Sequence, residues 1–197
     1  MISLVRAGVA AALIALAPVL VAEAANAAEK AFQNAELADS AIKLEAQIKS
    51  DAGTPTKPLA QIRKDADAAF AKNDFRAGMA LLGQIVALAP NDSTTWLRLA
   101  RTVMQIRAAD DNEKQLLLER ASTAAYIAYQ RTTSRTEEAD SLAFIGNVLA
   151  QREMWRPSLD ALRFSLELRE VAEVRGQYEK LREEHGFRVL NYSVDAD

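Results

Sequence analysis

The residues able to do chemistry on their own are few. His185 is the sole histidine and cysteine is absent, which excludes a thiol nucleophile, a disulfide, a thiolate zinc site and a histidine-rich metal site. His185 stands before Gly186 with no nucleophile placed near it in a coherent motif. Its structural reading, a residue preceding a helix-capping glycine, outweighs that of a general base. Asp110-Asp111-Asn112-Glu113 offers oxygen ligands, but the alternating spacing and central glycine of a calcium loop are missing, and Asp is a good helix N-cap. Asp195-Ala196-Asp197 reads as a loop. No glycine-rich phosphate loop, nucleophile elbow or zinc pattern occurs. The chain is therefore expected to be non-catalytic and to use no cofactor or metal.

Binding by shape remains. A net charge of −3 argues against nucleic acid as the partner. Half of the 197 residues are hydrophobic, mainly Ala and Leu, and only 7 are Gly and 5 Pro. With few β-branched runs to build sheets, the expected class is all-α. Without disulfides, stability has to come from helix packing.

Residues 1–27 read as a secretory signal peptide. Arg6 supplies the positive start, an uncharged apolar stretch runs from Ala7 to Ala22, and Ala22-Glu23-Ala24 and Ala25-Asn26-Ala27 are both cleavage patterns. A retained membrane anchor is the rival reading. The stretch is short for that role, rich in Ala and broken by Pro18. The expected location is the periplasm or the exterior, with membrane contact only through the transient signal. Residues 28–58 are expected to hold a first helix (29–50, with Phe32, Leu37, Ile42, Leu44 and Ile48 as its apolar positions) and a linker, Asp51-Ala52-Gly53-Thr54-Pro55-Thr56-Lys57-Pro58. That helix should pack onto the downstream helices without joining their repeat.

Residues 59–186 carry an internal period. Ile62 and Trp96, Ala66 and Ala100, and Ala69 and Val103 are each 34 residues apart, the spacing of the tetratricopeptide repeat, a helix–turn–helix unit. Phe70-Ala71-Lys72-Asn73-Asp74-Phe75 resembles the turn between that repeat's helices, and Gly78, Leu82 and Ile85 fall at its second-helix positions. Pro90-Asn91-Asp92 closes the unit, and Trp96, Leu99 and Ala100 open the next. The first-helix pattern recurs only at Leu142, Gly146 and Leu149, so the second repeat carries about a dozen extra residues. These lengthen its turn and its second helix, expected over 111–130. A third hairpin pairs 137–152 with 157–168, Trp155 standing where the first unit has Phe75 and Pro157 suiting a first helical turn. Trp96, Trp155, Phe70, Phe75, Phe144 and Phe164 are read as the shared core of stacked hairpins.

In such a solenoid the first helices line an inner groove. Asp67, Arg101 and Asn147 occupy equivalent positions in the three hairpins, and Arg63 lies one turn before Asp67 on the same face. Arg63, Asp67, Arg101 and Asn147 are candidates for binding a peptide or protein partner, since guanidinium forks and amides suit a carboxylate or backbone. The plainer reading, an ordinary solvated helix face, is preferred. The interleaved Arg169, Arg175, Arg182 and Arg188 read as exposed faces with intrahelical pairs.

A helix expected over 171–184 ends at His185-Gly186, after which Leu190, Tyr192 and Val194 alternate with polar neighbours as a strand does. A lone strand is unstable in water. Residues 187–197 therefore either pair with a partner's sheet edge or begin a β domain. Three runs sharpen the second option: Leu37-Ala38-Asp39-Ser40-Ala41-Ile42-Lys43-Leu44-Glu45, Ala124-Ala125-Tyr126-Ile127-Ala128-Tyr129-Gln130 and Gln177-Tyr178-Glu179-Lys180-Leu181-Arg182-Glu183-Glu184-His185-Gly186-Phe187-Arg188. With them the chain resembles the N-terminal region of large alphaproteobacterial alpha-2-macroglobulin-like proteins. The resemblance implies a helical repeat region ahead of β-sandwich domains, in a periplasmic proteinase-trapping family that defends the cell envelope, with downstream domains of the same polypeptide or envelope proteins as partners. That family's trapping thioester is built on Cys-x-Glu-Gln, which this chain cannot supply. The alternative is a free-standing periplasmic tetratricopeptide-like adaptor that binds peptides or envelope proteins.

Overall fold

The protein is all-helical in a computed structural model that describes residues 30–53 and 56–191. Eight helices stand among those residues: α1 Ala35–Ala52, α2 Leu59–Ala71, α3 Phe75–Leu88, α4 Ser93–Val103, α5 Asp111–Arg131, α6 Arg135–Gln151, α7 Trp155–Leu168 and α8 Ala172–Asn191. From α2 onward each helix packs on the next in sequence, and α1 lies across α3 and α5. None of these helices is long and apolar enough to cross a membrane. The signal-peptide reading of residues 1–27 lies outside the described residues.

Most helix starts are written in the sequence. Asn34, Asp74, Asp92, Asp110 and Ser134 each stand just before a helix and accept a hydrogen bond from the backbone N–H three residues on, which satisfies a donor the helix itself cannot. Asp110 thus does what its N-cap reading anticipates, with Glu113 reaching back to the Ala109 N–H at 2.6 Å. The turn between α2 and α3 has Asn73 in the left-handed region at φ 57°. There the Asp74 N–H bonds the Ala69 carbonyl and the Asn73 N–H that of Phe70. The turn between α6 and α7 repeats this pattern: Glu153 has φ 60°, Met154 bonds Leu149 and Glu153 bonds Ala150. Both are the paired C-terminal bonds of a Schellman cap, and each puts an aromatic residue, Phe75 or Trp155, at the start of the next helix.

The core runs through all the helical pairs. Of the 34-residue register, Ile62, Ala66, Trp96, Ala100 and Val103 are buried, and Ala69 is half-buried. Of the six aromatic core candidates only Trp96 is fully enclosed; Phe70, Phe144 and Phe164 pack on the main core from partly exposed positions. Trp155 packs on a second cluster of Leu159, Leu162, Leu166, Val174 and Leu181. Phe75 is half-buried. The centre is α5, in which every residue from Ala121 to Tyr129 is buried because α1, α4 and α6 all contact it. Its alanines let neighbouring backbones come close on several sides.

Three expectations need correction. The first helix begins at Ala35, not 29, because Asn34 caps it there. Phe32 precedes it as an anchor, buried, with its N–H donating to the Tyr129 hydroxyl at 2.8 Å. Burial pushes the Tyr129 phenol up to about 12, partly offset by that hydrogen bond. Ile42, assigned to the apolar face, is 71% exposed, since it lies well around the helix from Leu37, Leu44 and Ile48. At the other end α8 does not stop at Gly186 but continues to Asn191, so no strand starts over 187–191. Tyr192 and Val194 lie outside the described residues. Leu190 and Val194 are four apart, which a helical period accommodates as readily as a strand period.

Candidate functional site

The four groove candidates do not form one cluster. Arg63 on α2 reaches Asp92 at the start of α4, Nη2 to Oδ2 at 2.7 Å. Asp67 on α2 takes the guanidinium of Arg98 on α4, also at 2.7 Å, and that guanidinium lies 4.5 Å over the Phe70 ring. Arg63 and Asp67 therefore fasten α2 to α4. Arg101 is exposed on α4 and makes no ion pair among the described residues. Asn147 is half-buried in a cleft of about 310 Å³ between α6, α7 and α8, beside Trp155, Gln177 and His185.

The next fastening joins α4 to α6. Glu137 accepts from the hydroxyls of Ser93, Thr94 and Thr132 at 3.0, 2.8 and 2.8 Å. The Thr94 and Thr132 bonds hold its carboxyl below the ordinary value near 4.5, against a smaller opposing effect of burial. At Asp92 burial pushes upward, but the Arg63 and Thr95 hydrogen bonds outweigh it, so that carboxyl also lies below its ordinary value near 3.8. A carboxyl whose pKa is lower folded than unfolded adds stability that is present above the unfolded pKa and lost as pH falls through the folded one. Acid should therefore loosen the α2–α4–α6 face below about pH 5. Glu137→Gln is expected to cost about 1–2 kcal/mol at pH 7 and to flatten the acid limb. Urea denaturation at pH 7, 5 and 3.5 checks this, and parallel wild-type and variant curves would refute it.

His185 lies inside α8, where its ring stacks on Trp155 with centroids 3.7 Å apart and planes within 1°. It is a packing residue of the α6–α8 cleft, and its Nδ1 and the Gln177 Oε1 are buried without hydrogen-bond partners. No group of three His, Asp or Glu able to hold a metal occurs among the described residues. The arrangement offers paired charges, hydroxyl donors and a shallow cleft, which suit binding by contact.

Sequence reasoning found Asp92 as a turn residue but missed Arg98 and Glu137. The missing signal was cross-helix register. Arg98 lies one turn before Arg101, the repeat equivalent of Asp67, so the partner of Asp67 was three residues from the one singled out. No protein-family model matches the chain, and no curated protein matches it.

Proposed function

We propose that this protein is a non-catalytic, exported helical-repeat interaction module of tetratricopeptide-like type, which holds a protein or peptide partner on the face built by α2, α4 and α6. The observation that carries this reading is the repetition, bond for bond, of the Schellman turn at Asn73 and Glu153. Two helical pairs with the same turn, and side-chain ties from α2 to α4 and from α4 to α6, favour stacked hairpins sharing one groove wall. Arg63 and Asp67 shape that wall, and Arg101 and Asn147 are its candidate contact residues. The setting we favour is the N-terminal scaffold of an alpha-2-macroglobulin-like proteinase trap of the cell envelope. Since α8 stays helical to Asn191, that setting rests on the three helical runs rather than on a terminal strand. The exposed, unpaired Arg101 favours the second reading, a free-standing periplasmic adaptor that binds peptides or envelope proteins.

The mass of the native gene product, detected with an antibody to residues 59–186, separates the two. A species far above 21.5 kDa supports the trap scaffold, and one slightly below it supports the adaptor. For the groove itself, Arg101→Ala combined with Asn147→Ala should weaken capture of the native partner about tenfold while changing stability by less than about 0.5 kcal/mol. Undiminished capture by the double variant would sink the groove assignment in either setting.

A further inference from the structure

The cleft between α1 and α5 holds a cation and a hydroxyl that the fold leaves unused. Its cavity, about 290 Å³, is lined by Ser40, Lys43, Leu44 and Gln47 of α1 and by Leu116, Glu119, Arg120 and Thr123 of α5. Thr123 is 1% exposed, and its Oγ1 has no hydrogen-bond partner. The Arg120 Nε is likewise buried and unpartnered. Arg120 also borders a second cavity, of about 220 Å³, which it shares with Asp51, Met79 and Gln84. Burial lowers its pKa, and the Asp51 charge pushes back, but the two make no salt bridge. Elsewhere the fold pairs its enclosed guanidiniums: Arg131 holds Glu45 at 2.6 Å and Arg152 holds Glu36 at 2.7 Å.

A half-buried guanidinium whose Nε meets no acceptor and a buried hydroxyl with no acceptor are both costly to keep. Both border one cavity, which lies at the small end of the range of ligand pockets. One incoming carboxylate, met by a small rotation of the two side chains, supplies acceptors for both. Glu119 sets the charge such a ligand can carry. It lines the same cavity, held by the Ser40 hydroxyl at 3.4 Å, and offsets the Lys43 ammonium there, so the one remaining charge, that of Arg120, matches a monoanion better than a dianion such as phosphate. Leu44 forms an apolar wall, and Leu116, 65% exposed at the rim, offers apolar surface without a covering neighbour.

We infer that the α1–α5 cleft is a binding site for a monocarboxylate with a small aliphatic substituent, its carboxylate held by Arg120 and Thr123 and its aliphatic end by Leu44 and Leu116. This chemistry is shared by a free branched-chain acid and by the C-terminus of a peptide ending in an aliphatic residue. The site is separate from the α2–α4–α6 face and does not depend on the partner proposed for that face.

Isothermal titration of the full chain with sodium 4-methylpentanoate, acetyl-Ala-Leu with a free carboxyl, acetyl-Ala-Leu-amide and inorganic phosphate tests the inference. At least one free acid should bind, and the amide should bind about tenfold more weakly or worse. The tighter of the two acids identifies the source, small molecule or peptide end. Arg120→Met should reduce affinity for the acid by about tenfold or more, and Thr123→Val by a few-fold, with Arg101→Ala unchanged. The inference is overturned if neither acid binds, if acid and amide bind alike, if phosphate binds more tightly than both acids, or if Arg120→Met binds like wild type. Should Arg120→Met fail to fold, Thr123→Val decides: a few-fold loss supports the site, and unchanged affinity overturns it.

Discussion

Trp96→Ala is expected to destabilise the protein by about 3 kcal/mol or more, read by urea denaturation followed by circular dichroism. Trp96 is the largest fully buried side chain, 1% exposed. It is also a joint between elements. Its indole N–H donates to the Pro90 carbonyl at 2.8 Å, and that carbonyl also accepts from Arg131 at the end of α5. The Arg131 guanidinium lies 5.4 Å over the indole ring and binds Glu45 of α1. Removing the indole empties the space between these elements and deprives Arg131 of its aromatic neighbour. The Pro90 carbonyl keeps the Arg131 donor, so the lost hydrogen bond adds little beyond the packing loss. The adjoining cleft, lined by Ile42, Val86 and Ala87, lets water reach the gap and keeps the value at the lower end of the usual range for such truncations. Trp96→Phe, which retains most of the volume, should cost about half as much. A loss below about 1 kcal/mol for the alanine variant would mean that α1, α4 and α5 do not meet over this ring.

Much of this fold was legible because its signals are local. A helix cap needs a side-chain oxygen and an N–H three residues away, so Asp74, Asp92 and Asp110 announce α3, α4 and α5 within a few residues of sequence. Five of the six residues of the 34-residue register, Ile62, Ala66, Trp96, Ala100 and Val103, are buried, because each lies on the face its helix turns to the core, while Ala69 is half-buried. What stayed hidden depends on residues distant in the chain. Arg63 meets Asp92 across 29 positions, and Asp67 meets Arg98 across 31. From sequence alone Arg63 and Asp67 read as a solvated helix face or as groove candidates, although the fold uses them as fasteners. The half-burial of Arg120 is hidden for the same reason: it results from α1 lying over α5, and no period on α5 marks it. At Leu190 the strand expectation rests on three alternating residues, too few to separate a two-residue period from a helical one.

Gly146→Val is expected to be among the most damaging single changes outside the large core residues, with a loss of about 3 kcal/mol. Gly146 is buried in α6, facing Ser158 and Leu162 of α7. A Cβ there would sit 2.6 Å from the Leu162 Cγ and 3.1 Å from the Ser158 carbonyl oxygen, so it meets a branch point and a backbone atom rather than a yielding side-chain tip. The Ser158 hydroxyl donates to the Gly146 carbonyl at 2.7 Å, and forcing the helices apart stretches that bond as well. A Cβ at Gly78 would come closer still, 2.2 Å from the Phe70 Cε1, but it meets only a partly exposed side-chain ring and no backbone atom. Gly176 provides the control: it is helical, with nothing within 4 Å of an added Cβ. Gly176→Ala should stabilise by about 0.5–1 kcal/mol through helix propensity alone. Gly146→Ala gains the same propensity and should still lose about 1 kcal/mol net. Melting curves of the two alanine variants therefore move in opposite directions if α6 and α7 pack as tightly as the repeated turn at Glu153 requires. If both variants melt higher than wild type, the α6–α7 pair is looser than described, and the case for stacked, tetratricopeptide-like hairpins loses one of its two matching units.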